Sequence, residues 1–251
     1  MAHLTGSGNI TNMDEGVVNY LIGRYNIKSF TDIGCGTGGM VEIAHNKGIK
    51  SSGYEGDIRP IKLSNVKDKI IQIDFTKTEP NIKNSIDLAY STEFLEHVYE
   101  KFNPNYMKIF TNSKYILITA APPNWPGKHH VNCQGHEYWI KIFNKYNIYH
   151  YPYETVQCRN NSTMNINRPK NKQFVKHRAL FFINFNLVDK SNYIFTEDLP
   201  TTLEEIKENN IYLSDDYRCI NVKDMNVSDV KGRDGILFES DVPIISKLKL
   251  N

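Results

Sequence analysis

Cysteine is scarce in this sequence, and long apolar runs are missing. The 251 residues contain four cysteines, Cys35, Cys133, Cys158 and Cys219, and no two of them form a CxxC pair. Neither a zinc framework nor a disulfide scaffold is indicated, so a reducing, cytoplasmic compartment is expected. No apolar run approaches the ~20 residues that span a membrane, and no membrane partner is therefore expected.

Charge of either sign shows no strong excess. The 30 Lys and Arg residues and the 28 Asp and Glu residues give a formal net charge of +2 at pH 7. This balance neither requires nor excludes a nucleic-acid partner. With 40% hydrophobic residues, the chain suits one domain with a full core plus an appendage. Residues 1–8, MAHLTGSG, have the look of an expression-tag remnant and are left out of the fold prediction.

One glycine-rich run lies between an apolar lead-in and an amphipathic stretch. It reads T-D-I-G-C-G-T-G-G-M over residues 31–40, and this pattern predicts a strand, a tight glycine loop and a helix. Glycine lets the backbone approach a ligand where a Cβ would clash, and the helix N-terminus directs unpaired N–H groups at it. Gly34, Gly36 and Gly39 also satisfy GxGxxG, so an NAD or FAD site and a turn without a ligand are alternatives.

An acidic residue also occurs where the next predicted strand ends. Glu55 follows Asp32 by 23 residues. One carboxylate at the end of a second strand can accept hydrogen bonds from both hydroxyls of a ribose, and we assign Glu55 that role. Asp57 is the reserve candidate, since strand ends predicted from sequence can shift by a residue or two.

A second run, D-L-A-Y-S-T-E-F-L-E-H-V, occupies residues 87–98. The two runs resemble the first and fourth motifs of class I S-adenosylmethionine (SAM) methyltransferases. The resemblance implies SAM as cofactor and S-adenosylhomocysteine as product, with the glycines passing beneath the cofactor. It also implies an Asp near the adenine amino group and an apolar residue near the ring. The implied cofactor-binding residues are Asp32, Gly34, Cys35, Gly36, Gly38, Glu55, Asp74, Phe75, Ser91, Thr92 and Glu93.

The resemblance implies an α/β fold, with a Rossmann-like, seven-stranded, mostly parallel sheet whose last strand is reversed and which helices flank. We predict this domain over residues 13–186, followed by a C-terminal extension of unknown role at 187–251. Predicted strands lie at 29–33, 51–55, 69–73, 85–91, 115–120, 147–156 and 174–185, and predicted helices at 13–25, 39–46, 105–112 and 137–146. Residues 160–172 are Asn-rich and polar, and they are expected to form a disordered loop.

The histidine-rich segment K-H-H-V-N-C-Q-G-H-E-Y-W-I follows at residues 128–140. Its pattern H-x-N-x-Q-x-x-x-Y-W resembles methyltransferase-domain proteins of phages and large viruses, some of which are associated with glycan synthesis. A His beside the acceptor is a natural base for O-methylation. His130 is the predicted base and His129 the second choice, with Asn132 and Gln134 orienting the base or holding the acceptor. The predicted substrate set also contains His97, which could instead be a packing residue, and Trp125.

Two other interpretations of this segment stay open. His129, His130, His136 and Glu137 could ligate a metal, although their spacing matches no HExxH motif and no metal is expected. The segment could also be a polar loop that closes over SAM without taking part in chemistry.

The predicted activity is SAM-dependent O-methylation of a sugar or glycan hydroxyl with a His general base. The first alternative is N-methylation of a nucleic acid, a protein or a small amine. It is suggested by basic residues in the predicted loops, namely Lys128, Arg159, Arg168, Lys170, Lys172 and Lys176. A catalytically silent binding module is the second alternative. Pro122 and Pro123 follow the fifth predicted strand rather than the fourth, which argues against the amino-methyltransferases that modify nucleic-acid bases.

Overall fold

The computed structural model describes residues 12–190. The predicted tag remnant at 1–8 and residues 191–251 of the predicted extension lie outside this range. Within residues 12–190, none of the helices is long and apolar enough to cross a membrane.

A seven-stranded sheet with the order β3-β2-β1-β4-β5-β7-β6 is the centre of the fold. Strands β1 to β5 pair in parallel, whereas β7 runs antiparallel to both β5 and β6. The strands are β1 (Ser29–Ile33), β2 (Lys50–Glu55), β3 (Ile70–Gln72), β4 (Ile86–Thr92), β5 (Ser113–Thr119), β6 (Ile148–His150) and β7 (Leu180–Asn184). The strand order reverses direction between β1 and β4, where open α/β sheets bind ligands. The predicted fold class is confirmed.

Helices cover both faces of the sheet. They are α1 (Glu15–Tyr25), α2 (Gly39–Asn46), α3 (Ile58–Lys62), α4 (Asn103–Thr111), α5 (His136–Asn144), α6 (Pro152–Asn161) and α7 (Phe174–Arg178). One apolar cluster contains Phe110 of α4 and Trp139 of α5, and another contains Leu21 of α1, Met40 of α2 and Val175 of α7. The result is a three-layer arrangement with the parallel strands buried between the helices.

Three predicted segments are wrong in detail. The strand predicted at 147–156, with its ladder expected to end at Pro152, stops at His150, and the residues from Pro152 onward form α6, where the missing N–H of Pro152 costs nothing. The strand predicted at 174–185 is divided into α7 and β7, and the helical turn buries Val175 and Arg178 on one side. The loop at 160–172 is not disordered but tied together, for example by the Asn165 amide, which donates to the Lys172 carbonyl over 2.7 Å.

The start of α1 is fastened to the end of α6. Asp14 caps α1 by accepting from the Val17 amide at 3.1 Å, and the same carboxylate accepts from the Thr163 amide at 2.8 Å and the Ser162 hydroxyl at 2.5 Å. Gly16 lies against the backbone of α6, so that an added Cβ would collide with the Asn161 carbonyl. A glycine is therefore needed at this position of the helix for packing rather than for turning.

The two glycines of α1 provide a matched test of this contact. Alanine is favoured over glycine in a helix by up to about 1 kcal/mol. Nothing lies within 4 Å of a Cβ built on Gly23, so Gly23→Ala should raise the free energy of unfolding. Gly16→Ala should lower it by about 1–3 kcal/mol, since overpacking against backbone outweighs helix propensity. Urea titrations of both variants measure the difference, and equal shifts of the same sign would contradict the contact.

Candidate active site

A cavity of about 490 Å³ opens at the carboxyl ends of the parallel strands. Its volume lies within the range of small-ligand sites in proteins. Residues from the ends of β1, β2, β3 and β4 line it, together with the loop after β5 and the residues around α7. The predicted residues that line it are Asp32, Gly34, Cys35, Gly36, Glu55, Asp74, Phe75, Thr92, Glu93, His97, Trp125 and His130.

The glycine loop turns sharply after β1. Gly34 has a φ of 75°, a backbone conformation that side-chain-bearing residues rarely adopt, and its amide donates to the Tyr54 carbonyl of β2 at 2.9 Å. A Cβ at this position would lie 2.5 Å from Cδ2 of Phe94. Gly34 therefore lets the loop turn while Phe94 packs against it at the edge of the cavity.

Two carboxyl groups occupy adjacent strand ends in the cavity wall. Asp32 is buried, and this burial together with the negative charge of Glu55 raises the pKa of Asp32 to about 8. The Glu55 carboxylate accepts from the Gly36 amide and from the Asp57 amide, both at 2.9 Å, while burial raises its pKa. Asp57, the reserve for the ribose role, is held by an ion pair with Arg59. The wall thus concentrates carboxyl groups, and a cation bound beside them would favour their ionised form.

Asp74 and Phe75 follow β3. One oxygen of Asp74 accepts from the Thr76 amide at 3.0 Å, and the other lies 3.1 Å from Nζ of Lys77. Phe75 is buried, with its ring 5.7 Å from the ring of Phe94 and 6.3 Å from that of Tyr106. An acceptor and an aromatic wall therefore lie side by side at this end of the cavity.

Glu93 joins the parallel half of the sheet to the reversed strand. It has a φ of 52°, and its carboxylate accepts from Thr119 Oγ1 at 2.9 Å and from Arg178 Nη1 at 2.6 Å. Burial raises the pKa of Glu93, and the Arg178 guanidinium opposes this rise. The guanidinium carbon also lies 3.9 Å from the centre of the Trp125 ring. Glu93, Arg178 and Trp125 form one connected wall.

Two of the predicted histidines line the cavity, His130 of the histidine-rich segment and His97 of the E-F-L-E-H run. The His130 imidazole lines the cavity, with Nδ1 3.0 Å from the Trp125 carbonyl. His97 also lines it, and its Nδ1 lies 3.2 Å from the His129 carbonyl. Burial and the neighbouring His130 lower the pKa of His97 to about 4. The rings of His97 and His130 have centres 4.9 Å apart.

Several predicted residues do not line the cavity, namely Gly38, Ser91, His129, Asn132 and Gln134. Gly38 is the N-cap of α2, and the Ser91 hydroxyl donates to the Ile33 carbonyl at 2.9 Å. The Asn132 side chain accepts from the Gln134 amide at 3.2 Å. These contacts are with other parts of the protein and not with the space of the cavity.

Sequence reasoning missed three lining residues of chemical interest, Glu96, Lys172 and Phe174. Glu96 had a signal, because it lies three residues after Glu93 in the E-F-L-E-H run. Lys172 stands out in the sequence only as a basic residue of a predicted loop, and Phe174 has no signal, since both lie in a segment whose path depends on the packing of α7.

The donor set of the cavity fits SAM. SAM carries a sulfonium and an ammonium, and the buried carboxyl of Asp32 beside Glu55 suits a cationic ligand. The Glu55 oxygens retain acceptor capacity for ribose hydroxyls, and the aromatic wall of Phe75 suits a planar base.

Comparison with known proteins gives the class. Residues 31–117 match the family model described as a methyltransferase domain, and no curated protein matches the chain. Among solved structures, magnesium protoporphyrin IX methyltransferase of Synechocystis PCC 6803, with bound S-adenosylhomocysteine, is similar at 14% identity and a TM-score of 0.47, covering 67% of this chain and 80% of that one. A TehB-like SAM-dependent methyltransferase of Corynebacterium glutamicum is similar at 11% identity and a TM-score of 0.48, covering 67% and 87%.

At these identities and TM-scores, the fold follows from the strand order of the chain itself, and the class from the family match. Residues 31–117, which hold the glycine loop and the E-F-L-E-H run, match the model of a methyltransferase domain over about a third of the chain. The protein is a methyltransferase, and its cofactor is SAM. A catalytically silent binding module is therefore not retained as an alternative.

Replacing Asp32 with Asn should separate stability from ligand binding. Because the pKa of Asp32 is raised from 3.8 to about 8, the folded protein binds more protons than the unfolded chain between these values. The free energy of unfolding therefore falls as pH rises through this window. The Asp32→Asn variant cannot ionise at this position, so in thermal melts its Tm relative to that of the wild type should rise from pH 5 to about pH 8.5. Calorimetry should show that the variant binds SAM more weakly. Parallel pH profiles of the two proteins would contradict the buried ionisation.

Gly34 and Gly48 allow a second matched comparison. Both have positive φ, 75° and 74°, so alanine at either position meets about 1–2 kcal/mol of backbone strain. A Cβ on Gly34 also meets Phe94, whereas nothing lies within 4 Å of a Cβ on Gly48. Gly34→Ala should therefore cost more stability and weaken SAM binding, while Gly48→Ala leaves SAM binding unchanged. Equal SAM affinities in the two variants would show that the Gly34 turn is not part of the cofactor site.

Proposed function

We propose that the protein transfers the methyl group of SAM to a hydroxyl of a sugar or glycan. The observation that carries this proposal is the position of His130. Its imidazole lines the same cavity as Asp32 and Glu55, and its Nδ1 faces the Trp125 carbonyl. A carbonyl oxygen can only accept, so the neutral ring carries its proton on Nδ1 and keeps the Nε2 lone pair for an acceptor hydroxyl.

Cofactor binding is assigned to the strand-end residues. Asp32 would hold the cationic methionine end, Glu55 the ribose hydroxyls, and Asp74 with Phe75 the adenine. Gly34, Cys35 and Gly36 would form the floor of the site, and Thr92 and Glu93 would border the methyl group. When bound, SAM supplies a methyl group on a sulfonium, so the protein has only to align an oxygen with it and remove one proton.

The acceptor side is assigned to residues after β5 and around α7. Trp125 and Phe174 present aromatic rings there, and Lys128 and Lys172 present ammonium groups. Aromatic rings suit the apolar faces of a sugar ring, and the two lysines favour an acceptor that carries negative charge. Asn132 and Gln134 act indirectly, since the Asn132 amide donates to the Glu96 carbonyl at 3.0 Å.

N-methylation is the second candidate. Lys128 and Lys172 at the cavity favour it if the acceptor is a nucleic acid. One of the basic residues that suggested it is removed from consideration, because Arg159 is fully buried and donates through Nε and Nη2 to the Ala179 carbonyl, at 3.0 and 2.7 Å.

Three broader assignments accompany this proposal. We keep residues 13–186 as the methyltransferase domain, with 187–251 as an extension of unknown role. The association with phages or large viruses and with glycan synthesis rests on the histidine-rich pattern. A cytoplasmic location, in the host if the protein is viral, rests on the cysteine pattern of the sequence.

A panel of acceptors incubated with SAM that carries a tritiated methyl group tests the substrate class. The panel should contain free and phosphorylated sugars, glycan fragments, oligonucleotides and proteins, and product analysis should locate the label on oxygen or nitrogen. Label on a sugar oxygen is the expected result. Transfer to an oligonucleotide nitrogen, with affinity that falls steeply with salt, would replace the O-methylation proposal with the second candidate.

Substitution of the two candidate bases tests the role of His130. His130→Ala should reduce the transfer rate by about 10²- to 10⁴-fold with SAM binding retained. His129→Asn keeps a residue that tolerates the φ of 57° found there, and it should have a much smaller effect because the His129 side chain does not line the cavity. Single-turnover rates at saturating SAM give the comparison. An unchanged rate in His130→Ala would rule out this base.

A further inference from the structure

We propose that Glu96, His97 and His130 bind one divalent transition-metal ion at the wall of the cavity. Each of these side chains offers one ligand atom, and the three atoms lie within 4.8 Å of one another. Within residues 12–190, no other group of three or more His, Cys, Asp or Glu side chains brings its potential ligand atoms this close together. It shares only His130 with the set of His129, His130, His136 and Glu137 that the sequence suggested.

Glu96 is the member of the group that most needs a cation. Its side chain is fully buried, and within the described part of the chain no side chain donates to either carboxylate oxygen, so that only the backbone amides of Glu96 and Ala121 act on the carboxylate from close by. Buried carboxylates in proteins are normally paired, hydrogen-bonded or bound to a metal. The Arg178 guanidinium, whose charge also acts on Glu96, is engaged by Glu93. A bound cation would satisfy the Glu96 oxygens.

Both imidazoles are oriented as metal ligands usually are. The Nδ1 atoms of His97 and His130 lie 3.2 and 3.0 Å from backbone carbonyl oxygens, those of His129 and Trp125. Each Nδ1 therefore carries the proton of the neutral ring, and each Nε2 keeps a free lone pair. Metal-binding histidines generally donate their second N–H in this way, which fixes the tautomer and the ring direction.

Backbone contacts hold the three ligands in one corner. The Val131 and Asn132 amides both donate to the Glu96 carbonyl, at 2.9 and 3.0 Å, which fixes the His130 loop against the turn that carries Glu96 and His97. Gly127 packs directly on the His130 ring, so that a Cβ there would collide with its Cε1 and Nε2 atoms. The site is therefore formed by the fold and does not need a loop to move.

The ligand set indicates which ions fit. Two imidazole nitrogens and one carboxylate suit Mn²⁺, Fe²⁺, Co²⁺ or Zn²⁺, whereas Mg²⁺ and Ca²⁺ prefer oxygen ligands. Three protein ligands leave coordination positions open for water or a hydroxyl, as in catalytic metal sites. Lys128 and Lys172 also face the cavity, so an anionic acceptor could approach the ion and the two ammonium groups together.

The ion would change the role of His130, and this part of the inference rests on the proposed function. With Nε2 bound to the cation, His130 acts as a ligand rather than as the proton acceptor. A hydroxyl bound to a divalent cation loses its proton more readily, so the proton can pass to solvent. Binding of the ion itself does not depend on the acceptor or on transfer.

Direct metal titration tests the site. The full chain, without a polyhistidine tag and stripped with a chelator, is titrated with Mn²⁺ by electron paramagnetic resonance and with Zn²⁺ against a chromophoric chelator. One saturable ion per chain and a raised Tm are expected, with much weaker binding of Mg²⁺. Absence of saturable Mn²⁺ and Zn²⁺ binding, or equal preference for Mg²⁺, would overturn the proposal.

Variants show whether the ion lies where we propose. Glu96→Gln, His97→Gln and His130→Gln should each weaken Mn²⁺ binding at least about 100-fold, since loss of a supporting contact alone costs 10- to 100-fold. Gly127→Ala keeps all three ligands but displaces the His130 ring, and it should weaken binding too. The control is His45→Gln, because His45 is exposed on α2, and it should bind the ion like the wild type. Wild-type affinity in two or more ligand variants would overturn the proposal.

Mn²⁺ binding and methyl transfer are measured separately, so failure of the metal site can be distinguished from failure of the proposed function. A protein that binds Mn²⁺ through the three residues supports the metal site even if SAM transfer to sugars fails. Transfer that proceeds at the full rate in the chelator-stripped protein, with Mn²⁺ having no effect on it, would overturn the assigned role of the ion.

Discussion

The ion pair between Glu93 and Arg178 connects the two halves of this molecule. Glu93 ends the β4 segment in a left-handed backbone conformation, and Arg178 enters from the helical turn just before the reversed strand β7. Both side chains are largely buried, at 13% and 6% exposure, so removing either would leave an uncompensated charge. The same guanidinium lies over Trp125. The cavity wall at the ends of the parallel strands and the wall formed by the loop after β5 are thus set relative to each other by one charged contact.

Local patterns in the sequence were sufficient for the parallel half of the sheet. The glycine loop, the position of Glu55 after β2 and the E-F-L-E-H run each combine a strand with the residues that follow it, and their side chains meet because parallel strands end at one edge. The reversed direction of the last strand was predicted from the resemblance to class I SAM methyltransferases. Contacts between segments that are distant in the sequence could not be predicted from local patterns. Lys172 and Phe174 enter the cavity only because α7 forms, and the F-V-K-H-R stretch has no helical pattern long enough to reveal it.

The histidine-rich segment shows the same limit at the level of single side chains. Its composition drew attention to His130, which lines the cavity, yet adjacent residues in an irregular segment point in different directions. His129, with a φ of 57°, offers its carbonyl to His97 while its own ring contacts Tyr99. Glu96 is visible in the motif, but the absence of a side chain that donates to its carboxylate appears only in three dimensions. The side chains that this segment brings to the cavity therefore depend on the least regular part of the fold.

The carboxylate of Asp14 has a consequence for how this chain folds. It caps the first helix, yet its other partners, Ser162 and Thr163, come 148 and 149 residues later. Contacts between such distant positions form late, because a long loop must close before they contribute. During synthesis, the N-terminal helix lacks these bonds until residue 163 has emerged, long after the glycine loop and the first four strands. The order in which the polypeptide is made thus leaves α1, the earliest helix of residues 12–190, among the last to be secured.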